Sequence, residues 1–230
     1  MLEANQLKTE YADRPLGVDT RFPRFSWKLR SEKRGATQTA YRVLVATESA
    51  RLQNGHADVW DSGRVESGQQ NHVVYAGAPL QSDTDYCWSV EVWDEAGVSV
   101  GPSQPAFFST GLFEETEWQA KWIGRGSPDE PRADTDHFPG EAGEKLKELD
   151  IDYRAPLFRR EFVLSAPVKR ARAFICGLGY HELRVNGEKV GDHLLSPAKT
   201  DYRKQVLYET LDLTDALVEG RNAVGITLGN

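Results

Sequence analysis

An Asn-Gly pair at positions 186 and 187 separates two short segments in which apolar and polar residues alternate. Both residues readily adopt the positive φ that the central positions of a type I′ turn require, so the pair predicts a tight β-hairpin. The alternation returns between Asn222 and Leu228. Because alternation is the pattern of a half-buried strand, we expect a β-sheet in the last third of the chain. The pattern runs almost to Asn230, and we expect this sheet to continue beyond the chain.

The first hundred residues carry the same kind of signal. Residues 39–46 and 85–93 alternate over a full strand length, and Gly, Pro, Asp and Asn recur between such runs. Tyr41 and Val43 are predicted on one face of the first strand, and Trp88 and Val90 on the buried face of the second. Short strands with frequent turn signals are typical of a small antiparallel sandwich of about seven strands. The predicted fold class is therefore all-β.

The predicted domain organisation follows from shifts in composition along the chain. A first β-sandwich occupies residues 1–112, and an acidic linker follows at 113–124. Trp118 and Trp122 are expected to pack this linker against one or both domains. Residues 125–156 are rich in Pro, Gly, Asp and Glu and are predicted to form an insertion loop. Strand patterns resume at 157–230, the second domain.

Charge and hydropathy exclude several classes of function. The chain has 28 Lys and Arg against 35 Asp and Glu, a net charge of −7, so the clustered basic face of a nucleic-acid-binding protein is not expected. No stretch is apolar enough to cross a membrane, and the first residues lack the pattern of a secretory signal. These features predict a cytoplasmic protein, in which Cys87 and Cys176 are two separate buried thiols rather than a disulfide.

The residues with the chemistry to contact a sugar lie in the last third of the chain. A sugar site needs an aromatic face for the apolar side of the ring and carboxylates or amides for the hydroxyls. A structural role is the alternative for these residues, because Asn186 is explained by its turn and Asp201-Tyr202 is suited to anchoring a loop. The predicted sugar-contact residues are Tyr180, Glu182, Asn186, Asp192, Asp201 and Tyr202.

No catalytic or metal-binding constellation is predicted. The five histidines show no metal-ligand spacing, and no nucleophile or phosphate-loop motif is present. Asp134, Asp136 and His137 lie close together in the insertion loop, and a solvated acidic loop is the simpler interpretation of them. We therefore expect no cofactor, with calcium as the alternative.

The chain as a whole resembles the N-terminal portion of a bacterial α-L-rhamnosidase of glycoside hydrolase family 78. Each matching piece is short, but their order and spacing together are specific. The pieces are Phe22-Pro23-Arg24-Phe25-Ser26-Trp27, residues 38–46, Trp60-Asp61-Ser62-Gly63-Arg64-Val65, residues 86–88 and 110–112, residues 118–123, the hairpin at 177–192, Thr200-Asp201-Tyr202 and the ending at 220–230.

The resemblance implies a fibronectin type III-like sandwich followed by a jelly-roll domain of carbohydrate-binding type, which is incomplete here. It implies a parent that hydrolyses terminal α-L-rhamnosides with inversion, using two carboxylic acids on a helical (α/α)₆ barrel. The partners of this chain would be that C-terminal barrel and, through the parent, a rhamnose-containing glycoside. No catalytic residue is expected in this chain. A stand-alone carbohydrate-binding module and a protein-interaction module are the alternatives.

Overall fold

The protein was analysed as a computed structural model that describes residues 2–124 and 155–229. The predicted insertion loop at 125–156 lies almost wholly outside the described residues. The chain divides into two compact units, Met1–Gln119 and Ala120–Asn230. Each unit is built from antiparallel strands, which confirms the all-β prediction.

The first unit contains eight strands in two sheets. One sheet has the order β1-β2-β5, and the other has the order β4-β3-β6-β7, with β8 also pairing with β6. The prediction missed one short helix, α1 at Ser49–Gln53, because a single turn that buries only Leu52 leaves no helical periodicity in the sequence. The strands are β1 Glu3–Thr9, β2 Arg24–Arg30, β3 Ala40–Ala46, β4 Trp60–Asp61, β5 Val73–Val74, β6 Asp85–Trp93, β7 Ser99–Pro102 and β8 Ala106–Ser109.

Aromatic side chains fill the space between these two sheets. Phe25 of β2 and Trp88 of β6 have no exposed surface, and their ring centroids lie 4.4 Å apart. Trp27, on the same face of β2 as Phe25, packs edge-on against Tyr41 of β3. The predicted inward faces of β3 and β6 are therefore correct. Trp27 therefore belongs to the core between the two sheets.

Buried polar groups in this core are paired. The indole N–H of Trp88 donates to Thr9 Oγ1 at 3.0 Å, and that of Trp27 donates to Gln38 Oε1 at 2.9 Å. The amide of Gln38 in turn donates to the carbonyls of Ser67 and Gln69. Gln38 thus satisfies one buried donor and two carbonyls at once.

A tyrosine corner closes one end of the sandwich. Tyr86 stands at the start of β6, and its hydroxyl accepts a hydrogen bond from the backbone N–H of Gln81, five residues upstream, at 3.1 Å. This arrangement is a hallmark of immunoglobulin-like sandwiches. Its presence supports an immunoglobulin-like architecture for the first unit.

Two irregularities mark the outer edges of the sheets. β1 carries a bulge between Asn5 and Lys8. β7 and β8 follow the same edge of β6 but are interrupted between Pro102 and Pro105, where Ser103 donates its N–H to the Val90 carbonyl and its hydroxyl accepts the Val90 N–H. A serine side chain thus replaces a ladder bond at the break.

The segment after β8 is fixed to the first unit by Glu117. Its carboxylate accepts hydrogen bonds from Ser82 Oγ and from the N–H groups of Phe113 and Glu114. Trp118 is half-buried, but Trp122 is 68% exposed, so only the first of the two tryptophans is packed as expected.

The second unit has a smaller described core. Its sheets have the orders β12-β11-β14-β9 and β10-β13. Leu183, Val185 and Leu211 are its buried apolar residues among those described, whereas β10 and most of β14 are half-buried. The strands are β9 Leu157–Leu164, β10 Arg172–Cys176, β11 His181–Val185, β12 Glu188–Lys189, β13 Tyr208–Asp212 and β14 Gly220–Leu228.

We predict that Gln38→Met destabilises the protein by about 3 kcal/mol, because it leaves the Trp27 indole N–H and two backbone carbonyls without their partner. Chemical denaturation followed by tryptophan fluorescence measures the loss. Gln53→Met, at an exposed position of α1, is the matched control and should stay within about 0.5 kcal/mol of the unmodified protein. Equal effects of the two substitutions would contradict the role given to Gln38.

Candidate functional site

The hairpin predicted around Asn186 is present. Asn186 has φ 52° and Gly187 has φ 93°, the two positive values of a type I′ turn, and the turn joins β11 to β12. β11 also pairs with β14 from His181 to Val185. The hairpin is therefore anchored to the central strand of the four-stranded sheet.

The two faces of β11 differ as the alternation predicts. Leu183 and Val185 are buried, whereas Glu182 and Arg184 point outward. The Glu182 carboxylate lies 2.8 Å from Arg184 Nη2 and 3.4 Å from Lys189 Nζ. The hydrogen bond from Arg184 is the main cause that lowers the pKa of Glu182 below its ordinary value. Glu182 is thus an ionised, paired carboxylate on an open surface.

The side chain of Asn186 is occupied by structural contacts. Its amide nitrogen donates to the Ala216 carbonyl at 2.9 Å and to Asn222 Oδ1 at 3.0 Å. Its amide oxygen accepts the N–H of Ala223 at 2.9 Å. Asn222, which is 3% exposed, also bonds the backbone of Val218 and Gly220. The two asparagines together fix the loop before β14, so the structural alternative for Asn186 explains all its contacts.

The other predicted sugar-contact residues lie on the surface. Asp201 accepts hydrogen bonds from the N–H and Nε of Arg203, while its backbone carbonyl accepts from Lys204 and Gln205, which is the anchoring role considered for it. Tyr180 and Tyr202 are each 37% exposed, and Asp192 is exposed in the turn after β12. No contact joins these residues in the described part of the chain, and sugar contact at these positions remains a prediction.

A cluster that the sequence interpretation missed lies on the inner side of β11. The side chain of His181 is 1% exposed, and its Nε2 lies 3.0 Å from Glu209 Oε2, at an angle that is poor for a hydrogen bond. The other oxygen of Glu209 contacts His193 Nδ1 at 2.8 Å and the Ser196 hydroxyl. Glu209, itself only 10% exposed, thereby ties the loop of His193 and Ser196 to β13.

His181 lies on the same face of β11 as the buried Leu183 and Val185, as the alternation along this strand indicates. What the sequence did not reveal was its partner, because Glu209 is 28 residues away and belongs to a different sheet. The one local signal was the glycine at 177, since a Cβ there would lie 2.9 Å from His181 Nδ1. The role of Gly177 in leaving room for the imidazole can be recognised only once the positions of the strands are known.

Burial dominates the acid–base behaviour of His181. Desolvation lowers the pKa of this imidazole below its ordinary value of 6.5, although the Glu209 carboxylate acts in the opposite direction. Protonation would also create an Nδ1–H that has no acceptor among the described residues. The neutral form is therefore the one that the fold favours.

Neither a metal centre nor a membrane segment is found in the described ranges. Residues 2–124 and 155–229 contain no group of three His, Cys, Asp or Glu side chains that could hold a metal ion. Asp134, Asp136 and His137 lie outside these ranges, and calcium binding stays a prediction. Cys87 and Cys176 are free thiols, as predicted, but only Cys87 is buried and Cys176 is half-buried. Burial raises the pKa of Cys87 to about 11. No described helix is long and apolar enough to cross a membrane.

We predict that two substitutions at position 186 separate backbone strain from hydrogen bonding. Asn186→Gly keeps the positive φ but loses three hydrogen bonds, and should cost about 2 kcal/mol of unfolding free energy. Asn186→Ala loses the same bonds and places a Cβ in the left-handed region, for roughly 1 kcal/mol more. Denaturant titration of both variants tests this order. A smaller loss for Ala than for Gly would refute the turn as the reason for Asn186.

We predict that His181 makes the protein less stable in mild acid. Because its folded pKa lies below the unfolded value of 6.5, the unfolded chain binds a proton that the folded chain does not as the pH falls below that value. The midpoint of urea unfolding should therefore fall more between about pH 7.5 and about pH 5.5 in the unmodified protein than in His181→Gln. His56→Gln, at an exposed site in the first unit, controls for the loss of a histidine. Identical pH dependence in all three proteins would contradict this prediction.

Two models of known protein families match the chain, one within each of the two units. A model described as the Rha78A-like, N-terminal immunoglobulin domain matches residues 4–114. A model described as the alpha-L-rhamnosidase N-terminal domain matches residues 166–230. The first description names an immunoglobulin domain where the sequence suggested a fibronectin type III module, and the two share the same sandwich architecture.

Similar proteins are much longer than this chain. An α-L-rhamnosidase of Formosa agariphila is 40% identical over 94% of the chain, which spans 23% of that relative. One of Streptomyces avermitilis is 34% identical over the whole chain, which spans 22% of it. The structure of the α-L-rhamnosidase from Dictyoglumus thermophilum matches 99% of the chain with a TM-score of 0.84 and 38% identity, and the chain spans 25% of that structure. The chain therefore belongs to the α-L-rhamnosidase family and corresponds to the N-terminal portion of its members.

Proposed function

We propose that this chain forms the non-catalytic N-terminal β-domains of an α-L-rhamnosidase, and that these domains brace the catalytic part of the same polypeptide. The observation that carries the proposal is the match of two N-terminal domain models, in order, to a chain that spans less than a quarter of the curated relatives' length. The activity itself, hydrolysis of terminal α-L-rhamnosides with inversion, would belong to carboxylic acids in the remaining three quarters.

The packing of the second unit supports a bracing role. In the first unit β3 and β6 are almost completely buried, and both clusters of buried apolar residues lie there among the described residues. In the second unit Leu157, Leu194 and Leu195 are each more than 75% exposed, and Trp122 is 68% exposed. Covering such side chains removes apolar surface from water and is favourable. Further polypeptide packed on this unit would supply that cover.

We predict that the 230-residue chain alone releases no aryl alcohol from an aryl α-L-rhamnoside above background, whereas the full-length polypeptide turns the substrate over. Spectrophotometric assay of both proteins at equal concentration tests this. Turnover by the short chain that disappears when one of its own carboxylates is replaced would overturn the proposal.

We also predict that Trp122→Ala has different effects in the two proteins. In the short chain the indole is already largely exposed, so the midpoint of thermal unfolding should barely move. In the full-length enzyme, where we expect the indole to be covered, the midpoint should fall by roughly 5 °C or more. Val98→Ala, at an exposed turn of the first unit, is the control and should be neutral in both. A neutral Trp122→Ala in the full-length enzyme would contradict bracing at this surface.

A further inference from the structure

A preformed cleft lies in the first unit where the edge strands of its two sheets face each other. Its walls come from β4 and β5, with β3 beneath, and its volume is about 460 Å³. That volume falls toward the lower end of the roughly 300–1,000 Å³ typical of small-molecule sites. The cleft lies wholly within residues 41–76, so it can be considered apart from the second unit and from the proposed catalytic parent.

Two aromatic residues of the cleft carry polar groups without a protein partner. Tyr41 is 7% exposed, and its hydroxyl, which makes no hydrogen bond in the described part of the chain, keeps some access to solvent. Trp60, half-buried and packed edge-on against Tyr75, likewise has no acceptor for its indole N–H within those residues. A tyrosine hydroxyl and an indole N–H that border one cavity are suited to binding the hydroxyl groups of a ligand.

The rim of the cleft is held by side-chain hydrogen bonds and contains a residue in the left-handed region. The Gln69 side-chain amide donates to the carbonyls of Asn71 and His72, at 2.9 and 3.2 Å. His72 has φ 57°, a left-handed conformation that is uncommon for a residue with a side chain, and its Nε2 lies 3.0 Å from the Tyr11 hydroxyl. Strained residues that their surroundings hold in place cluster at ligand-binding sites. This loop is therefore organised before any ligand arrives.

The charge in the cleft is balanced. Asp61 is its one carboxylate, and both oxygens are bound by Arg42, at 2.9 Å from Nε and 2.6 Å from Nη2. This bond is the main cause that lowers the pKa of Asp61. A bidentate pair of this kind leaves no net charge to attract an ion. The remaining lining combines aromatic, aliphatic and neutral polar side chains.

We propose that this cleft binds a neutral polyhydroxylated ligand of monosaccharide size, with the apolar face of the sugar against Trp60 and a hydroxyl bound by Tyr41. A sugar offers both C–H faces and hydroxyls, which match the aromatic and polar groups of the walls. This site goes beyond the proposed function, because bracing needs no ligand in the first unit. It is also separate from the sugar contacts predicted on the second unit.

Titration of the 230-residue chain with L-rhamnose and, separately, with D-glucose tests the proposal. In a ¹⁵N–¹H spectrum each of the six tryptophans gives one indole signal, and Trp60→Phe identifies the signal of Trp60. We expect a saturable shift of this signal with at least one sugar, while the signals of the buried Trp27 and Trp88 stay in place. Tyr41→Phe should weaken this binding about three- to tenfold, because it removes one hydrogen bond and keeps the ring.

Tyr86→Phe is the matched control for the loss of a tyrosine hydroxyl. Its hydroxyl belongs to the tyrosine corner and does not line the cleft, so the affinity should be unchanged even if stability falls. The proposal fails if neither sugar shifts the Trp60 signal saturably at millimolar excess. It also fails if Tyr41→Phe and Tyr86→Phe change the affinity equally. Because neither readout involves hydrolysis, failure here is distinguishable from failure of the proposed function.

Discussion

The contact of Phe25 with Trp88 across the two sheets is the interaction on which the first unit depends. The rings are 4.4 Å apart without exposed surface, and the Trp88 indole N–H reaches Thr9 in the third element of the core, β1. A tryptophan can be this deeply buried only because its one donor is satisfied. Trp88 thus joins β6 of one sheet to the neighbouring strands β1 and β2 of the other sheet. β3 pairs with β6, and β4 pairs with β3, in the sheet that carries Trp88.

Much of the fold was visible in the sequence where apolar and polar residues alternate. β3 and β6 were predicted with their inward faces, because Tyr41, Val43, Trp88 and Val90 alternate with polar residues. The Asn186 turn was predicted because its chemistry is local and needs no knowledge of the rest of the chain. α1 was missed because its five residues are too few for the i, i+3, i+4, i+7 pattern of an amphipathic helix to appear.

The sites were harder to predict because they depend on pairs that lie far apart in the chain. Glu182 and Tyr180 were identified by chemical type, and the structure adds that Glu182 is occupied by Arg184 and Lys189. His181 with Glu209 and Tyr41 with Trp60 meet only through sheet pairing and loop placement. Sequence alternation can indicate that such a side chain points inward, but it cannot indicate what it meets there.

The break between β7 and β8 affects the tendency of the first unit to aggregate while the rest of a polypeptide is being synthesised. Because Ser103 directs its N–H toward Val90, the preceding Pro102 presents its nitrogen on the outer side of the edge, where it has no hydrogen to offer an incoming strand. The bulge in β1 disturbs the edge of the other sheet. A domain at the start of a long polypeptide leaves the ribosome first and must wait, folded, for the rest. Edges that pair poorly with a neighbouring copy lower the risk of aggregation during that time.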